Sequence, residues 1–477
     1  MGYTHHEEGR LKPGTFDTLI SNMGKFYSIT VNWEDGGKTV FKDSLKKLPM
    51  SVAAIADAFN MDIGKGDIDY HAERPVGHVL TPEEISYIER DVLIVARALK
   101  IQLDSGMTKL TVGADSLAEY KRITGGKVFT RIFPILPDSM DAEIRRAYRG
   151  GFTYADERFK GKKLGRGRVY DVNSLYPSVM YDRVLPYGEP VFEPGLPKAT
   201  KEYPLFIVSV TFTAKLKKNH IPCIQVKGSS FFLNTEYQKE IKEPVTLMAT
   251  NVDLALWQDQ YDMNIMSFNG GWLFKGAQGL FNEYIDKWME VKARHHGGLR
   301  VIAKLHLNSL YGKFATNPDV TGKVPVFEDN VVKLKTGPEA TRDPVYTPMG
   351  VFITAYARDV TVRAAQVHYD VFAYADTDSL HLLVEDDPET LDIDPVRLGA
   401  WKRETIFQSA IFMRAKAYTE LDMDGNYSTH IAGLPVSVAK RVTFESLQDG
   451  AVFDGKLHPK RVPGGVVLQD VGFTLKF

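Results

Sequence analysis

Cysteine is almost absent from this sequence, which limits the kinds of site that the chain can build. Cys223 is the only cysteine in 477 residues. No intramolecular disulfide can therefore form, and a zinc site built from several cysteines is excluded. A chain with so little cysteine is typical of a reducing compartment, and we expect a cytoplasmic location.

Long apolar runs and an excess of one charge are also missing. No run approaches the roughly 18 apolar residues of a membrane-spanning helix, and residues 1–8 lack the apolar stretch of a signal peptide. The net charge is −1, so only local clusters of charge can indicate a nucleic-acid partner. Hydrophobic residues make up 44% of the chain and charged residues 25%, an ordinary globular composition that predicts roughly three domains of about 150 residues.

Local sequence patterns predict a mixture of helices and strands. A helix is predicted over 80–99, with Thr81 as its N-cap and a proline in its first turn. Residues 282–311 are predicted to form two helices, broken at Gly297-Gly298. The β structure is predicted as strands over 26–31, 39–41 and 168–171, repeated short strands over 183–279, a hairpin over 371–384 and a turn-rich segment over 316–347.

Three aspartates stand in positions that suit divalent cations. Asp171 ends a predicted strand, and Asp376 and Asp378 flank Thr377 in the predicted hairpin bend. Magnesium prefers oxygen ligands and takes few of them from protein, while phosphate supplies the rest. Two such ions can activate an attacking hydroxyl and stabilise a leaving oxygen. An isolated Asp-x-Asp is more often a turn or a solvated loop, so these residues alone leave both interpretations open.

A further segment places positive charge and a ring at helical spacing. Lys304, Asn308 and Tyr311 share one face of a helix and present a cation, an amide and an aromatic ring. A lysine suits a triphosphate as a point charge, and a ring can stack on a base. The alternative is an amphipathic helix with a solvated basic face, and the fixed spacing argues against it. The basic stretch 160–168 is open to two interpretations, a solvated loop or a segment that contacts phosphate.

In this order, the segments resemble the three polymerase motifs of family B DNA polymerases, D-x-x-S-L-Y-P, K-x-x-x-N-S-x-Y-G and Y-x-D-T-D-S. Further matches resemble the protein-primed branch, the phage replicases of the phi-twenty-nine type, from about residue 15 to the C-terminus. These matches are Tyr148-Arg149-Gly150-Gly151, Lys416-Ala417-Tyr418 and residues 65–70, 343–350 and 463–468. The resemblance implies an α+β fold, a right hand of palm, fingers and thumb that follows a partial ribonuclease H-like 3′–5′ exonuclease domain.

The resemblance also implies boundaries along the chain. The palm is expected in two parts, and the two insertions are the terminal-protein regions peculiar to the protein-primed branch. The predicted segments are a partial exonuclease-like domain over 1–111, the first part of the palm over 112–182, terminal-protein region 1 over 183–279, the fingers over 280–315, terminal-protein region 2 over 316–347, the second part of the palm over 348–430 and the thumb over 431–477.

Individual roles follow from the resemblance, residue by residue. Asp171, Asp376 and Asp378 would be the catalytic carboxylates. Two Mg²⁺ ions, or Mn²⁺ as a substitute, would be held by Asp171, Asp378 and the Val172 carbonyl. The incoming nucleotide would be bound by Tyr176, Lys292, Arg300, Lys304, Asn308 and Tyr311. The DNA would be contacted by Tyr148, Gly150, Gly151, Ser174, Gly312, Thr377, Lys416 and Tyr418. The family has lysine at the position of Arg300, and either cation serves a phosphate.

The exonuclease part of the family pattern is incomplete. The first two acidic motifs of that domain, D-x-E and N-x-x-F-D, have no counterpart, and no D-x-E occurs before residue 87. The third motif survives as Tyr87 and Asp91, and Lys65 and Asp67 match further positions of the domain. We therefore expect a chain that is shortened at its N-terminus relative to the family and whose 3′–5′ exonuclease activity is absent or impaired.

The function implied by the resemblance is template-directed synthesis of DNA from deoxynucleoside triphosphates, protein-primed, processive and strand-displacing, in the replication of a phage or mobile element. The implied partners are primer-template DNA, the nucleotide and a terminal priming protein, for a monomer in the host cytoplasm without a membrane partner. Two alternatives stay open: one chain of a split replicase whose exonuclease motifs lie on another polypeptide, and a non-catalytic DNA-binding derivative. Intact Asp171, Asp378 and Lys304 argue against the second, because a protein that only binds DNA has no need of all three.

Overall fold

The computed structural model describes residues 3–6, 12–227, 236–328, 331–462 and 465–477. The chain forms two compact units, each assembled from three stretches of sequence. Unit 1 comprises Met1–Ile68, Thr81–Asp141 and Glu283–Thr347, and unit 2 comprises Asp69–Leu80, Ala142–Asn282 and Pro348–Phe477. The seven segments predicted from the sequence divide the chain more finely than these two units, and their boundaries stay predictions. Pro463 and Gly464, the first two residues of the predicted family match over 463–468, lie outside the described residues.

Strands occur in both units. Within the described ranges they are β1 Thr4–His5, β2 Thr15–Ile20, β3 Phe26–Asn32, β4 Lys38–Lys42, β5 Thr153–Ala155, β6 Gly167–Val172, β7 Leu185–Glu193, β8 Leu205–Leu216, β9 Glu240–Thr250, β10 Tyr261–Ala277, β11 Lys323–Glu328, β12 Val331–Thr336, β13 Phe372–Asp376, β14 Ser379–Leu382, β15 Trp401–Arg414, β16 Ala417–Asp422, β17 Tyr427–Ile431, β18 Val452–Val462 and β19 Gly465–Thr474.

The helices are shorter in total and are concentrated in unit 1. They are α1 Val52–Ala58, α2 Pro82–Asp104, α3 Val112–Thr124, α4 Gly126–Ile132, α5 Asp138–Arg145, α6 Leu175–Asp182, α7 Asn251–Gln260, α8 Asn282–Arg294, α9 Gly297–Ser309, α10 Tyr311–Phe314, α11 Thr347–Val367 and α12 Val436–Ala439. In the part of the chain that the structure describes, none of them is both long and apolar enough to cross a membrane.

Helix α2 begins where its local sequence predicts. The Thr81 side chain accepts a hydrogen bond from the Glu84 backbone N–H at 3.2 Å, and the Glu84 carboxylate accepts one from the Thr81 N–H at 3.0 Å. This capping box satisfies two backbone donors that have no partner inside the helix. The predicted helix is confirmed, and it continues beyond residue 99 to Asp104. Its buried residues Ile94 and Ala98 pack with Ile55 of α1.

The predicted pair of helices is confirmed as α8 and α9. Gly297 begins α9 with a φ of +58°, a backbone conformation that glycine adopts without steric cost. The next residue, Gly298, lies directly on α1, where a Cβ would be 2.6 Å from the Cδ1 atom of Phe59. The two glycines therefore break the helical run and also allow α9 to approach α1 closely.

The remainder of unit 1 is a small sheet and a hairpin. Strands β1 to β4 form a sheet in chain order, in which β1 and β2 are parallel and the other pairs antiparallel. Strands β11 and β12 form an antiparallel hairpin inside the segment predicted to be turn-rich. The hairpin packs on β2. At Gly322, immediately before β11, a Cβ atom would collide with the carbonyl oxygen of Ile20, the last residue of β2.

A seven-stranded antiparallel sheet is the core of unit 2. Its strand order is β17-β16-β15-β6-β14-β13-β5. The strand predicted over 168–171 is confirmed as β6, and the predicted hairpin is confirmed as β13 and β14. The central strands are inaccessible to water, with Tyr170, Tyr374 and Leu380 each 0% exposed. Such packing fixes the ends of these strands, and the predicted catalytic aspartates stand at those ends.

The region predicted to hold short strands forms a second sheet in unit 2, with the order β7-β10-β8-β9. Its strands are longer than predicted, and β10 alone extends over 17 residues. Helix α7 was not predicted there. Its buried side includes Asp253 and Gln260 beside Leu254, Leu256 and Trp257, so no purely apolar stripe marks the helix in the sequence. The C-terminal β structure is the hairpin of β18 and β19.

Candidate active site

The register of the seven-stranded sheet of unit 2 places two of the three predicted aspartates one position apart on neighbouring strands. Asp171 of β6 pairs with Ser379 of β14, and the backbone N–H of Val172 donates to the carbonyl oxygen of Asp378 at 2.8 Å. Asp378 therefore lies opposite Val172, the residue after Asp171, on the neighbouring strand. Both side chains are half-buried at the same end of the sheet. A local sequence pattern could not show this, because the two residues are brought together only by strand pairing.

The third aspartate is held by groups of the protein. The Asp376 carboxylate accepts hydrogen bonds from Lys416 Nζ at 2.7 and 2.9 Å and from the Thr153 hydroxyl at 2.9 Å. The Thr377 hydroxyl donates to the same carboxylate at 3.2 Å. Asp376 therefore fixes the hairpin and anchors a lysine, while Asp171 and Asp378 lie beside it.

Electrostatics make a cation favourable at Asp378. Burial raises the pKa of the Asp378 carboxyl above its usual range, and the nearby carboxylates of Asp376 and Glu404 raise it further. A bound cation would offset both effects, because it stabilises the ionised form. Among the described residues, no group of three or more His, Cys, Asp or Glu side chains is arranged to hold a metal ion. Two adjacent carboxylates still fit Mg²⁺, which takes few ligands from protein and completes its shell with phosphate and water.

Unusual backbone conformations concentrate at this end of the sheet. Five non-glycine residues within the described ranges have a positive φ, and three of them, Ser174, Thr377 and Lys416, are predicted DNA contacts. Such conformations carry a steric cost and persist where the surrounding structure enforces them, which is common at functional sites. Ser174 immediately precedes α6, and Tyr176 follows in its first turn, half-buried.

The predicted K-x-Y motif lines a cavity beside Asp376. The Lys416 backbone N–H donates to the Tyr374 hydroxyl at 3.0 Å, and the Tyr418 ring stacks on His430 with 4.8 Å between ring centroids. Asp376, Lys416, Tyr418 and His430 line a cavity of about 550 Å³. A lysine and a stacked ring in one open cavity are suited to a nucleic-acid strand.

The predicted linker Tyr148-Arg149-Gly150-Gly151 is fixed by a residue that sequence reasoning missed. Arg358 of α11 donates to the Arg149 and Gly150 carbonyls at 2.7 and 2.9 Å. The Arg358 guanidinium also pairs with Asp253 of α7 at 2.7 Å, and both side chains are buried. The available signal was an arginine inside the apolar run of α11, but nothing local identifies a partner 105 residues away. Tyr148 is half-buried, and Gly150 is exposed.

The predicted nucleotide-binding cations belong to unit 1. Lys304 and Asn308 are both exposed on α9, one turn apart, whereas His306 and Leu307 are buried on the other side. The Arg300 guanidinium donates to the carbonyl of Lys292, which fixes the two residues beside each other. Helix α9 ends at Ser309 and the short helix α10 begins at Tyr311, and Leu310 between them has helical dihedral angles, φ −68° and ψ −48°. The common face of Lys304, Asn308 and Tyr311 stays a prediction.

The four residues predicted as an exonuclease remnant lie on α2 or in the segment before it, and Asp91 follows Tyr87 by one helical turn. Asp67 and Tyr87 line a groove together, and Lys65 Nζ lies 5.5 Å from the centroid of the Tyr87 ring. Asp91 lines a different groove on α2, with Val52, Val92, Val95 and Leu99 around it. Its Oδ1 atom is buried and has no hydrogen-bond partner among the described residues.

Comparison with known proteins identifies the family. Residues 72–394 match the DNA polymerases of type B, organellar and viral. The chain belongs to this family. The polymerase is 47% identical over 500 residues to the DNA polymerase of Bacillus phage B103, covering 100% of this chain and 87% of that relative. It is 46% identical over 491 residues to the DNA polymerase of Bacillus phage phi29, covering 97% of this chain and 85% of the relative.

Solved structures confirm the fold of the polymerase. The structure of phi29 DNA polymerase complexed with primer-template DNA and incoming nucleotide matches it with a TM-score of 0.94 at 45% identity, covering 100% of this chain and 87% of that chain. The predicted resemblance to phage replicases of this type and the α+β right-hand fold are therefore confirmed.

Proposed function

We propose that this DNA polymerase copies a template by adding deoxynucleotides to a primer end with two Mg²⁺ ions held by Asp171, Asp378 and the Val172 carbonyl. The observation that supports this most directly is the register that places Asp171 on β6 and Asp378, just before β14, one position apart on neighbouring strands. When bound, the ions would activate the primer 3′-hydroxyl and offset charge on the phosphates. The hydroxyl oxygen attacks the α-phosphorus, and diphosphate leaves.

The remaining residues of the palm bind and orient the primer. Lys416, anchored on Asp376, presents a fixed positive charge beside the reacting carboxylates. Tyr418, stacked on His430, forms the wall of the cavity in which the primer end lies. Tyr176 lies beneath the sugar of the incoming nucleotide. Gly150 leaves the linker backbone open to the template strand, because nothing lies within 4 Å of the place where a Cβ would stand, whereas Gly151 lies against Thr377.

The finger helices bind the incoming nucleotide. Lys304 and Asn308 project from one exposed face of α9, and Lys292 and Arg300 are joined by the hydrogen bond between them. Several cations on neighbouring turns suit a triphosphate, whose charge would otherwise oppose binding. Tyr311 and Gly312, at the start of α10, shape the space for the base.

The same residues provide the test of this function. In a single-turnover primer-extension assay with Mg²⁺, Asp171→Ala should lower the rate by at least about 10³-fold while DNA binding stays within about twofold of the unchanged chain. Asp386→Ala removes an aspartate whose side chain is 98% exposed and serves as the matched control, with unchanged extension. Extension at the full rate by Asp171→Ala would refute the assignment of the metal site.

Protein priming, processivity and strand displacement are the finer part of the proposal. The hairpin of β11 and β12 is the element of unit 1 proposed to lean across the DNA and retain it. A terminal priming protein would offer a hydroxyl in place of the primer 3′ end. The phi29 DNA polymerase, with which the chain shares its fold, has been solved with primer-template DNA, which supports DNA as a partner of this chain.

The split replicase is the second candidate, and the exposed face of α2 favours it. Ile85, Ile88, Val92 and Leu103 lie along one side of the helix and are 44%, 42%, 60% and 54% exposed. Asp91 adds a buried carboxylate oxygen without a partner to the same helix. In this candidate, a β-structured polypeptide that carries D-x-E and N-x-x-F-D covers the face and completes an exonuclease site.

Thiol labelling can test this second candidate. Because Cys223 is buried, Val92→Cys would create the one readily accessible thiol of the chain. A maleimide should label it rapidly in the purified chain and slowly once a polypeptide with the two acidic motifs is added. Fast labelling in both conditions, with no removal of a mismatched 3′ nucleotide, would refute the split arrangement.

A further inference from the structure

The bend that carries the catalytic aspartates has a strained centre. Strands β13 and β14 are joined by Thr377 and Asp378 alone, and the Asp378 N–H donates back to the Asp376 carbonyl at 2.8 Å. Thr377 has a φ of +63°. The first position of such a two-residue loop usually holds glycine when φ is positive there, and a β-branched residue in this conformation is an outlier. Some other part of the structure must therefore hold Thr377 in place.

Two backbone contacts hold it. The Thr377 N–H donates to the Phe152 carbonyl at 2.6 Å, and the Thr377 carbonyl accepts a hydrogen bond from the Thr361 hydroxyl at 2.8 Å. The side chain is confined as well, since a Cβ at Gly151 would lie 2.7 Å from the Thr377 Cγ2 atom. Thr377 is thus fixed at its backbone N–H, at its carbonyl oxygen and at its side chain.

Of the three residues that contact Thr377 in this way, Phe152, Gly151 and Thr361, only Thr361 lies outside the linker and the residue that follows it. It lies in α11 and is 0% exposed. Its hydroxyl also approaches the Ala357 carbonyl of its own helix, at 3.1 Å. A helical threonine can satisfy its hydroxyl in that way alone, so the shorter contact with Thr377 is not required for hydrogen bonding of Thr361 itself. The contact instead supplies a hydrogen-bond donor, the Thr361 hydroxyl, to the carbonyl oxygen of Thr377.

The position of Thr361 on α11 connects the bend to the linker. Arg358 lies on the same face of the helix, one turn earlier, and holds the Arg149 and Gly150 carbonyls. One helix face therefore fixes the linker through Arg358 and the bend through Thr361. The two held segments meet where Phe152 accepts from Thr377. A shift of the bend would move Asp376 and Asp378 together.

We propose that Thr361 is a positioning residue of the polymerase reaction, whose hydroxyl holds Thr377 in its left-handed conformation and thereby sets Asp378 at the spacing from Asp171 that a pair of divalent ions needs. This inference rests on the proposed two-metal function. It assigns to Thr361 no contact with DNA, nucleotide or metal. Its effect should consequently appear in metal binding, while DNA affinity stays unchanged.

The test compares Thr361→Val with a matched control on the same helix. Thr354 is also buried, and among the described residues its hydroxyl donates to the Gly350 and Val351 carbonyls of α11 alone, so Thr354→Val removes a hydroxyl without affecting the bend. Thr361→Val should raise the half-saturating Mg²⁺ concentration and weaken Mn²⁺ binding, followed by electron paramagnetic resonance on the protein–DNA complex, each by about tenfold. Thr361→Ser keeps the hydroxyl and should restore both values, and Thr354→Val should leave both unchanged.

A double substitution separates positioning from simple stability. Glycine adopts a positive φ without support, so Thr361→Val should weaken Mn²⁺ binding far less in the Thr377→Gly background than alone. Equal losses in both backgrounds, wild-type Mn²⁺ binding by Thr361→Val, or failure of both the single and the double variant to fold would each overturn the inference. Undiminished extension by Asp171→Ala would instead overturn the two-metal function, so the two failures can be distinguished.

Discussion

The end of the seven-stranded sheet and helix α2 each place an aspartate beside apolar residues, Asp376 and Asp91, but among the described residues only Asp376 has partners for its buried oxygens. In the palm, Asp376 accepts hydrogen bonds from a lysine and two hydroxyls, and Asp378 follows a bend fixed on both sides. On α2, Asp91 has a buried oxygen without a partner, and Val92 beside it is 60% exposed. Hydrogen bonds from neighbouring side chains fix the position of the Asp376 carboxylate before any ligand binds. The Asp91 carboxylate has no such bond at its buried oxygen among the described residues, so nothing orients that oxygen toward an ion.

The largest effect expected from this comparison comes from the same substitution made in both regions. Asp378→Ala should abolish extension, by at least about 10³-fold, because it removes a proposed metal ligand. Asp91→Ala should alter neither extension nor the persistence of a mismatched 3′ nucleotide. Both rates can be followed on one labelled primer with a terminal mismatch.

The opposite outcome would break the comparison. Rapid Mg²⁺-dependent removal of the mismatch by the purified chain, lost in Asp91→Ala, would show that other carboxylates complete an exonuclease site around α2. The exonuclease would then be active in this chain, contrary to our expectation from the missing acidic motifs.

The hairpin of β11 and β12 gives the next largest effect. The Arg342 N–H donates to the Pro318 carbonyl at 2.9 Å, so the base of the segment is closed and a short Gly-Ser bridge can replace residues 319–341. Excision should leave gap filling intact, because no palm carboxylate is touched. Products on a primed circle, made with excess trap DNA, should shorten by at least about tenfold, since dissociation is no longer slowed. Undiminished product length would exclude the hairpin as the source of processivity.

The comparison also shows what the sequence could and could not predict. The N-cap at Thr81, the helix break at Gly297 and the hairpin around Thr377 are encoded by neighbouring residues, and local reasoning found all three. The Arg358–Asp253 pair and the Thr361–Thr377 contact join distant segments inside the core. No periodicity or spacing reports such pairs, because they depend on which elements pack together.

The same limit applies to α2. Its sequence predicts a helix correctly but does not predict that one apolar side stays exposed. Helix α7 is the reverse case, because the side that tertiary packing buries includes the polar residues Asp253 and Gln260, which removes the amphipathic pattern. Burial is a property of the assembled structure, and local sequence indicates it only where the covered face is apolar.

A more moderate effect is expected at Tyr176, in the first turn of α6. A ring beneath the sugar would leave no space for a 2′-hydroxyl, so discrimination against ribonucleotides would be steric. Tyr176→Val should raise the relative rate of ribonucleotide incorporation by about tenfold or more and spare deoxynucleotide incorporation in part. Single-nucleotide extension with each substrate measures this ratio. Equal loss of both activities would mark the tyrosine as structural.

The smallest effect sharpens the comparison at α2 itself. Asp91 keeps a carboxylate oxygen buried without a hydrogen-bond partner beside Val95 and Leu99, which costs free energy in the folded chain. Asp91→Leu should therefore raise the free energy of unfolding of unit 1 by about 1 kcal/mol, measured by urea denaturation. Glu89→Leu, on an exposed position of the same helix, adds similar apolar surface without removing a buried oxygen and should give no comparable gain. If Asp91→Leu destabilises the chain instead, the carboxylate contributes to the fold as it stands, and the distinction between a held and an unheld aspartate fails at this residue.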